Sequence, residues 1–450
     1  MNMENTTSGP TYQEMLNPHL LPDAMRARAE KARANELDPA NLFNITWRAP
    51  QGNVRSVALP KQFTGVPANI LVMLGCHFPS GSHKVGPAYA TLMEGELAGE
   101  INPRENRTIG PSTGNFGIGV AYISRLKGYP AIVIMPEQMS AERYQRIRNY
   151  GGELDLTPGS ESDVILVLER TEHYKKDPKN KVLAQFELLP NYRFHRYVTG
   201  LSAIEAAAGY GNGRVAAFVS APGSAGTLAA GDEIKARYPE AFVCALEPRE
   251  CSTLFNNGRG THAIEGIGDK MVTLIHNVLT TDYVTLIHDQ DCIAGLDLVQ
   301  NRHAELDRLL GLPEGCMRSF EGLFGISTIC NIIGAIRTAR HLGLGAEDNV
   351  VTIATDGFDR YPSVLEKRAG IAPPPCADSF EQVFRSFDAA EMLDVRSPQE
   401  KDRLFGYKEQ VWREFNYSKS YLDSMKSQSF WEGEYDRIRE IDAALVAARQ

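Results

Sequence analysis

The sequence predicts an α/β protein of parallel sheets covered by helices on both faces, with a helical extension at each end. Three observations predict it. From residue 69 onward, short apolar runs alternate with helical stretches, as strands joined by crossover helices do. Two of these runs pass straight into glycine-rich turns that open a helix. The flanks, residues 1 to about 60 and the segment after 366, are charged and lack that alternation.

In chain order, "DAMRARAEKARANEL" (23–37) is a charged helix. "NILVMLGC" (69–76) is a strand, and the helix after it begins near Lys84. "AIVIMPEQ" is a strand, and "SAERYQRIRNYG" is a helix closed by glycine. "KVLAQFEL" is a strand and "SAIEAAAGYG" a helix. "RVAAFVSAPG" is a strand that runs into a glycine turn and the helix "TLAAGDEIKARY". "AFVCALEP", "DYVTLIHD" and "NVVTIATDG" are further strands. "IAPPPC" (371–376) reads as a linker. The tail beyond it places Trp412 and Trp431 in helical segments.

Composition bounds the function. A chain of 450 residues buries a large core, and its length suggests two or three structural units. It is 43% hydrophobic and 23% charged, as soluble proteins are. A net charge of -9 argues against a nucleic-acid partner. No apolar run approaches membrane-spanning length, and the first residues lack a signal peptide's apolar stretch. Seven scattered cysteines without a C-x-x-C pair suit free thiols in a reducing cytoplasm, not a disulfide frame or a zinc site, and no metal is expected.

Three turns and one lysine carry the chemistry. Lys84, in "GSHKVGPAYATLM", stands at the start of an apolar helix straight after a strand-like run. It is either a stem reaching back to water or a nucleophile held at a site. "PSTGNFGIG" (111–119) lets main-chain N–H groups point into one concavity at a helix start, which suits a carboxylate or phosphate. A plain tight turn is the other reading. "APGSAGTLAAGDE" (221–233) sets Gly223, Ser224, Ala225, Gly226 and Thr227 between a buried strand and a helix, a ready phosphate cradle. It is neither a Walker loop nor a full dinucleotide fingerprint, and a purely structural turn stays possible. "EGLFGISTICNIIGAI" (321–336) places Ser327 where a strand ends and an apolar helix starts, with a helix cap as the ordinary alternative. An amine, an anion loop, a phosphate cradle and a hydroxyl at strand ends are the parts that hold pyridoxal 5'-phosphate.

With these residues, the chain resembles a fold type II pyridoxal-phosphate enzyme, most of all the cysteine synthase and cystathionine β-synthase group. The resemblance covers roughly 60–366. It implies two doubly wound parallel-sheet domains in a catalytic core at 61–366, the smaller one (roughly 90–195) inserted in the larger. Residues 1–60 and 367–450 are then N- and C-terminal helical extensions. "SGSHKVGPAYA" makes Lys84 the Schiff-base lysine. "PSTGNFGIGVAYISRLKGYPAIVIMPEQ" is the most specific match. It implies that Asn115 bonds the cofactor's ring hydroxyl, and that Ser112, Thr113 and Gly114 hold the substrate's α-carboxylate. "LAQFELLPNYRFHRYVTG" makes Gln185 a further carboxylate partner. "APGSAGT" is the phosphate loop, "EGIGDK" the active-site loop around Gly266, and "GIST" brings Ser327 to the pyridine nitrogen. The pattern departs from the family at Phe116, where a small hydroxyl residue is usual, and in the order Ser112-Thr113. It departs again at Asp269 and Lys270, where small residues are usual. All three departures ring the substrate side of the site.

The resemblance further implies a homodimer and a reaction on an amino acid with a β-leaving group. Lys84, once freed, removes the α-proton, an aminoacrylate forms, and a thiol or other nucleophile adds to it. Elimination to a keto acid and ammonia, as in serine or threonine dehydratases, is the alternative. A non-catalytic pyridoxal-phosphate or amino-acid-binding regulatory subunit and a nucleotide-binding oxidoreductase are the readings from other classes. His83, Cys76, His195 and Tyr197 are either near the pocket or simply packed.

Overall fold

The computed structural model describes residues 9–371 and 373–449. The first eight residues of the N-terminal extension, Ala372 of the linker and Gln450 lie outside the described residues. Two sheets organise the chain. The larger has seven strands in the order β1-β2-β10-β7-β8-β9-β11. These are β1 (Ser56–Ala58), β2 (Asn69–Leu74), β7 (Val215–Ser220), β8 (Phe242–Pro248), β9 (Tyr283–Ile287), β10 (Asn349–Ala354) and β11 (Met392–Asp394). The smaller has four strands, in the order β5-β4-β3-β6. They are β3 (Arg107–Pro111), β4 (Ala131–Pro136), β5 (Glu153–Thr157) and β6 (Asn180–Val182).

The five central strands of the large sheet and all four of the small sheet run parallel. Helices cover both faces, so inner strands are buried on both sides and read as continuous apolar runs. In "NVVTIA" and "AIVIMP" every residue is buried. Among the described residues only the two edge strands are antiparallel: β1 on β2 and β11 on β9. Both come from the flanks, so each helical extension also covers one edge of the parallel core with a strand of three residues, and so short an edge is a poor template for further pairing.

Two expectations change. "KVLAQFEL" is a strand only as far as Val182, because the chain leaves the sheet there and turns at Ala184–Leu188. The expected strand before Ser327 is a turn: Phe320–Gly325 is tied by Leu323 N–Phe320 O and Gly325 N–Asp356 O bonds, and the helix starts at Ile326. An apolar run of two or three residues beside two glycines cannot distinguish a strand from a turn.

The tail is core. Trp412 and Trp431 are fully buried, and Trp412 Nε1 donates to Val272 O at 2.9 Å. Lys408, also buried, donates to Leu274 O and His276 O. Burial pulls its ammonium down to about 7, whereas an unfolded lysine sits near ~10.4. The unfolded chain therefore binds more protons between those values, so this residue makes stability rise with pH through that window, fall as pH drops from its upper end towards 7, and change little below it. Relative to the wild type, Lys408→Met should lose a slope of at most about 1.4 kcal/mol per pH unit. Denaturant melts from pH 7 to 10 measure it, and equal slopes in both proteins would refute it.

Candidate active site

The cleft lies where strands of both sheets end. β2 passes through two short turns to Lys84, which opens the helix Val85–Leu97. The Lys84 side chain is buried and its Nζ lies 3.4 Å from Ser224 Oγ. Burial pulls the amine down to about 8, while the charges of Asp269 and Glu161 hold it up. The lysine is thus a held amine in a closed cleft, not a stem reaching to water.

β3 ends at Pro111 and leads through Ser112–Gly114 into the helix Asn115–Lys127. Ser112 Oγ accepts from Gly114 N at 2.9 Å, and Thr113 Oγ1 donates to Glu161 Oε1. Asn115 is held at both ends: its Nδ2 donates to Asp356 at 2.5 Å and its Oδ1 accepts from Arg360 Nε at 2.7 Å. A Cβ on Gly114 would stand 2.9 Å from Arg143 Nη1, so that buried guanidinium requires glycine there. Phe116 is buried in the cleft wall. Gln185 Nε2 donates back to Pro111 O at 3.3 Å.

β7 ends at Ser220 and gives the loop Ala221–Thr227. None of the five N–H groups from Gly223 to Thr227 meets a protein acceptor among the described residues. The same holds for the N–H groups of Thr113, Asn115 and Phe116. Two sets of unspent donors at helix starts are two anion cradles. Ala225 takes a left-handed φ of +64° to shape the first. Behind it, Asn191 Nδ2 donates to Ser224 Oγ at 3.0 Å, and Thr273 Oγ1 donates to Ser224 O at 2.8 Å. The loop Gly266–Lys270 forms another wall, with Gly268 N bonded to Pro222 O and Lys270 paired with Asp163 at 2.6 Å.

Lys84, Ser112, Thr113, Gly114, Asn115, Phe116, Gln185, Gly223, Ser224 and Gly266 therefore line one cleft. Ala225, Gly226 and Thr227 continue the cradle outside that lining, with Thr227 Oγ1 2.8 Å from Ser220 Oγ. Ser327 is buried in the first turn of the helix Ile326–His341, also outside the lining, whereas Thr355 at the end of β10 is in it. His83 is packed against Trp47 and His195 at ring distances of 5.5 and 5.0 Å. Tyr197 packs on Tyr435, and burial raises the Cys76 thiol to about 11. These four do not line the cleft.

Sequence reasoning missed the charge cluster behind the asparagine loop. Arg143 is fully buried, with Glu265 at 2.5 Å, Glu161 at 3.8 Å and Asp356 at 3.9 Å. Burial raises the Glu161 carboxyl well above its ordinary range, against the pull of Arg143 and Thr113. No local signal marks these residues, which lie on separate segments of the chain. Asp269 also lines the cleft.

The site fits pyridoxal phosphate: an amine with a lowered proton affinity, a cradle of five N–H groups without a protein acceptor among the described residues, and packing too close for a Cβ at Gly223 or Gly226. The family described as pyridoxal-phosphate dependent enzymes matches residues 49–356. The chain belongs to that family. Within it the chain is of the fold type II, cysteine synthase group, with pyridoxal 5'-phosphate as cofactor. A cysteine synthase of Staphylococcus aureus is 32% identical over 297 residues, 66% of this chain and 88% of that protein. A probable cysteine synthase of Bacillus subtilis is 30% identical over 297 residues, covering 66% and 89%. Among solved structures, O-acetyl serine sulfhydrylase isoform 3 of Entamoeba histolytica superposes with TM-score 0.60 at 26% identity over 74% of this chain and 94% of that one. A hydrogen sulfide-producing enzyme of Fusobacterium nucleatum gives 0.57 at 27% over 69% and 95%. No helix of the described residues is long and apolar enough to cross a membrane.

A Cβ on Gly226 would stand 2.2 Å from Asn191 Oδ1 and 2.8 Å from His195. Gly226→Val should therefore push the phosphate-loop backbone off Asn191, weaken cofactor retention and lower the cofactor-dependent part of Tm. Equilibrium binding of pyridoxal phosphate checks this, and unchanged affinity would refute it.

Proposed function

We propose that the chain catalyses β-replacement on an amino acid with a β-leaving group, of the O-acetylserine class, with sulfide or a thiol as nucleophile. One observation carries the reading: the Lys84 amine shares a closed cleft with two separate sets of unspent main-chain donors. One set suits a phosphate and the other a carboxylate. The relatives' activities support the same assignment.

Bound pyridoxal phosphate supplies an electrophilic carbonyl and an electron sink at the substrate's α-carbon. Gly223, Ser224, Ala225, Gly226 and Thr227 hold its phosphate, Asn115 its ring hydroxyl and Ser327 its ring nitrogen. Asn115 can serve because Asp356 and Arg360 fix its amide and leave one Nδ2 hydrogen free. Ser112, Thr113, Gly114 and Gln185 take the α-carboxylate, and Phe116 bounds the side-chain pocket with the loop at Gly266. Lys84, with its amine near 8, accepts the α-proton in the first half of the reaction and returns it in the second. The core spans 61–366 with the smaller domain at roughly 90–195. We place the protein in the cytoplasm as a homodimer; its seven free cysteines suit that compartment. Light scattering distinguishes one chain from two, and localisation of a tagged chain tests the compartment.

Purified protein should be yellow, and borohydride should fix the cofactor on Lys84. Lys84→Ala should lose that link and about 10²–10⁴-fold in kcat. A peptide map placing the adduct on another lysine, or keto acid and ammonia as sole products from O-acetylserine with thiol present, would overturn the reading.

Phe116 removes a hydroxyl donor beside the carboxylate loop and narrows the pocket. An apolar wall discriminates by about 10–200-fold per methylene. Phe116→Thr should therefore reorder kcat/KM across serine, O-acetylserine, O-phosphoserine, threonine and cysteine while the visible absorbance stays. An unchanged order makes Phe116 a packing residue.

A further inference from the structure

One polar group in the cleft has no place in that scheme. Asp269 is buried at 6% exposure and lines the cleft with Lys84. Neither of its carboxylate oxygens has a hydrogen-bond partner among the described residues. The other carboxyls around the site are engaged: Glu161 accepts from Thr113, Glu265 pairs with Arg143, and Asp356 accepts from Asn115 and Tyr361. A buried carboxyl without a partner costs stability.

We propose that Asp269 is a catalytic base that takes the proton of the incoming thiol in the second half of the replacement. This rests on the β-replacement reading. As the new C–S bond forms at the β-carbon, the S–H bond breaks and its proton passes to an Asp269 oxygen. The electron pair of the substrate's α,β double bond moves to the α-carbon, which takes the proton held by Lys84. Asp269 then gives its proton to solvent, and both groups are reset. The thiol needs such a base because most of it is protonated near neutrality.

The surroundings set the base's strength. Burial raises the Asp269 carboxyl to about 7, and the Lys84 charge pulls it back. A base poised near the working pH is the most effective. The charged and titratable groups around it are Lys84 in the same cleft, Glu161 behind Thr113, and Glu247, Cys251 and His276 on its outer side. Lys270 follows it in the chain and is paired with Asp163.

Stopped-flow absorbance of the holoenzyme separates the halves: O-acetylserine alone, then thiol. With 2-mercaptoethanol the wild-type second half should show an acid limb near pH 7. With thionitrobenzoate, an aromatic thiol already ionised across the range, that limb should be absent. Asp269→Asn should slow 2-mercaptoethanol addition at least about 100-fold more than it slows the first half, and thionitrobenzoate addition far less. Infrared difference spectra, wild type minus Asp269→Asn, should show a carboxyl band titrating near pH 7 without turnover. Equal slowing with both thiols, no limb in the wild type, or no such band would overturn the proposal. If the variant does not fold, the two thiols on the wild type decide it. A wild type that fails even the first half with every donor sinks the β-replacement reading and this one with it. A normal first half with a pH-independent second half sinks this one alone.

Discussion

A guanidinium taken out of water has to be paired, and Arg143 is paired by carboxylates from three distant stretches of chain. Glu161 precedes the helix Val164–Tyr174, Glu265 opens the loop before Asp269, and Asp356 follows β10. Losing one partner of a buried pair leaves an uncompensated charge, which is strongly destabilising. The cluster therefore fixes three walls of the cleft against one another. Gly114 packs on the same guanidinium, and Asp356 with Arg360 orients Asn115.

Inside those walls, Lys84 owes its reactivity to a balance of desolvation against nearby acids. Burial alone would lower the amine further, and Asp269 and Glu161 hold it near 8. The phosphate loop Gly223–Thr227 contains no cation. Anion binding there rests on N–H dipoles, so no second positive charge beside Lys84 depresses its ammonium more.

The two extensions brace this arrangement. Arg193 links Glu94 of the Lys84 helix to Glu434 of the tail, and Tyr12 of the N-terminal segment donates to the same Glu94. Trp412 and Lys408 bind the main chain of Val272, Leu274 and His276, a few residues past Asp269. The tail thus holds the segment that carries the loop Gly266–Lys270, although it lies outside the region shared with the family.

The sequence by itself determined the alternating architecture, because strands buried on both faces must be apolar throughout and the helices between them must end in recognisable caps. It also marked Lys84, the asparagine loop and the phosphate loop, since glycine-rich strand-to-helix turns are local features. Only the tertiary structure decided that Arg143, Glu161, Glu265 and Asp356 form one cluster, that Asp269 lines the cleft with Lys84 and has no hydrogen-bond partner among the described residues, and that both flanks add edge strands. Charge pairing and edge pairing join residues tens to hundreds of positions apart, and no spacing within a single segment records them. The short apolar stretches at Leu183–Phe186 and Leu323–Phe324 were ambiguous for the same reason. Whether so few residues extend a strand or turn away is settled by the neighbour they meet.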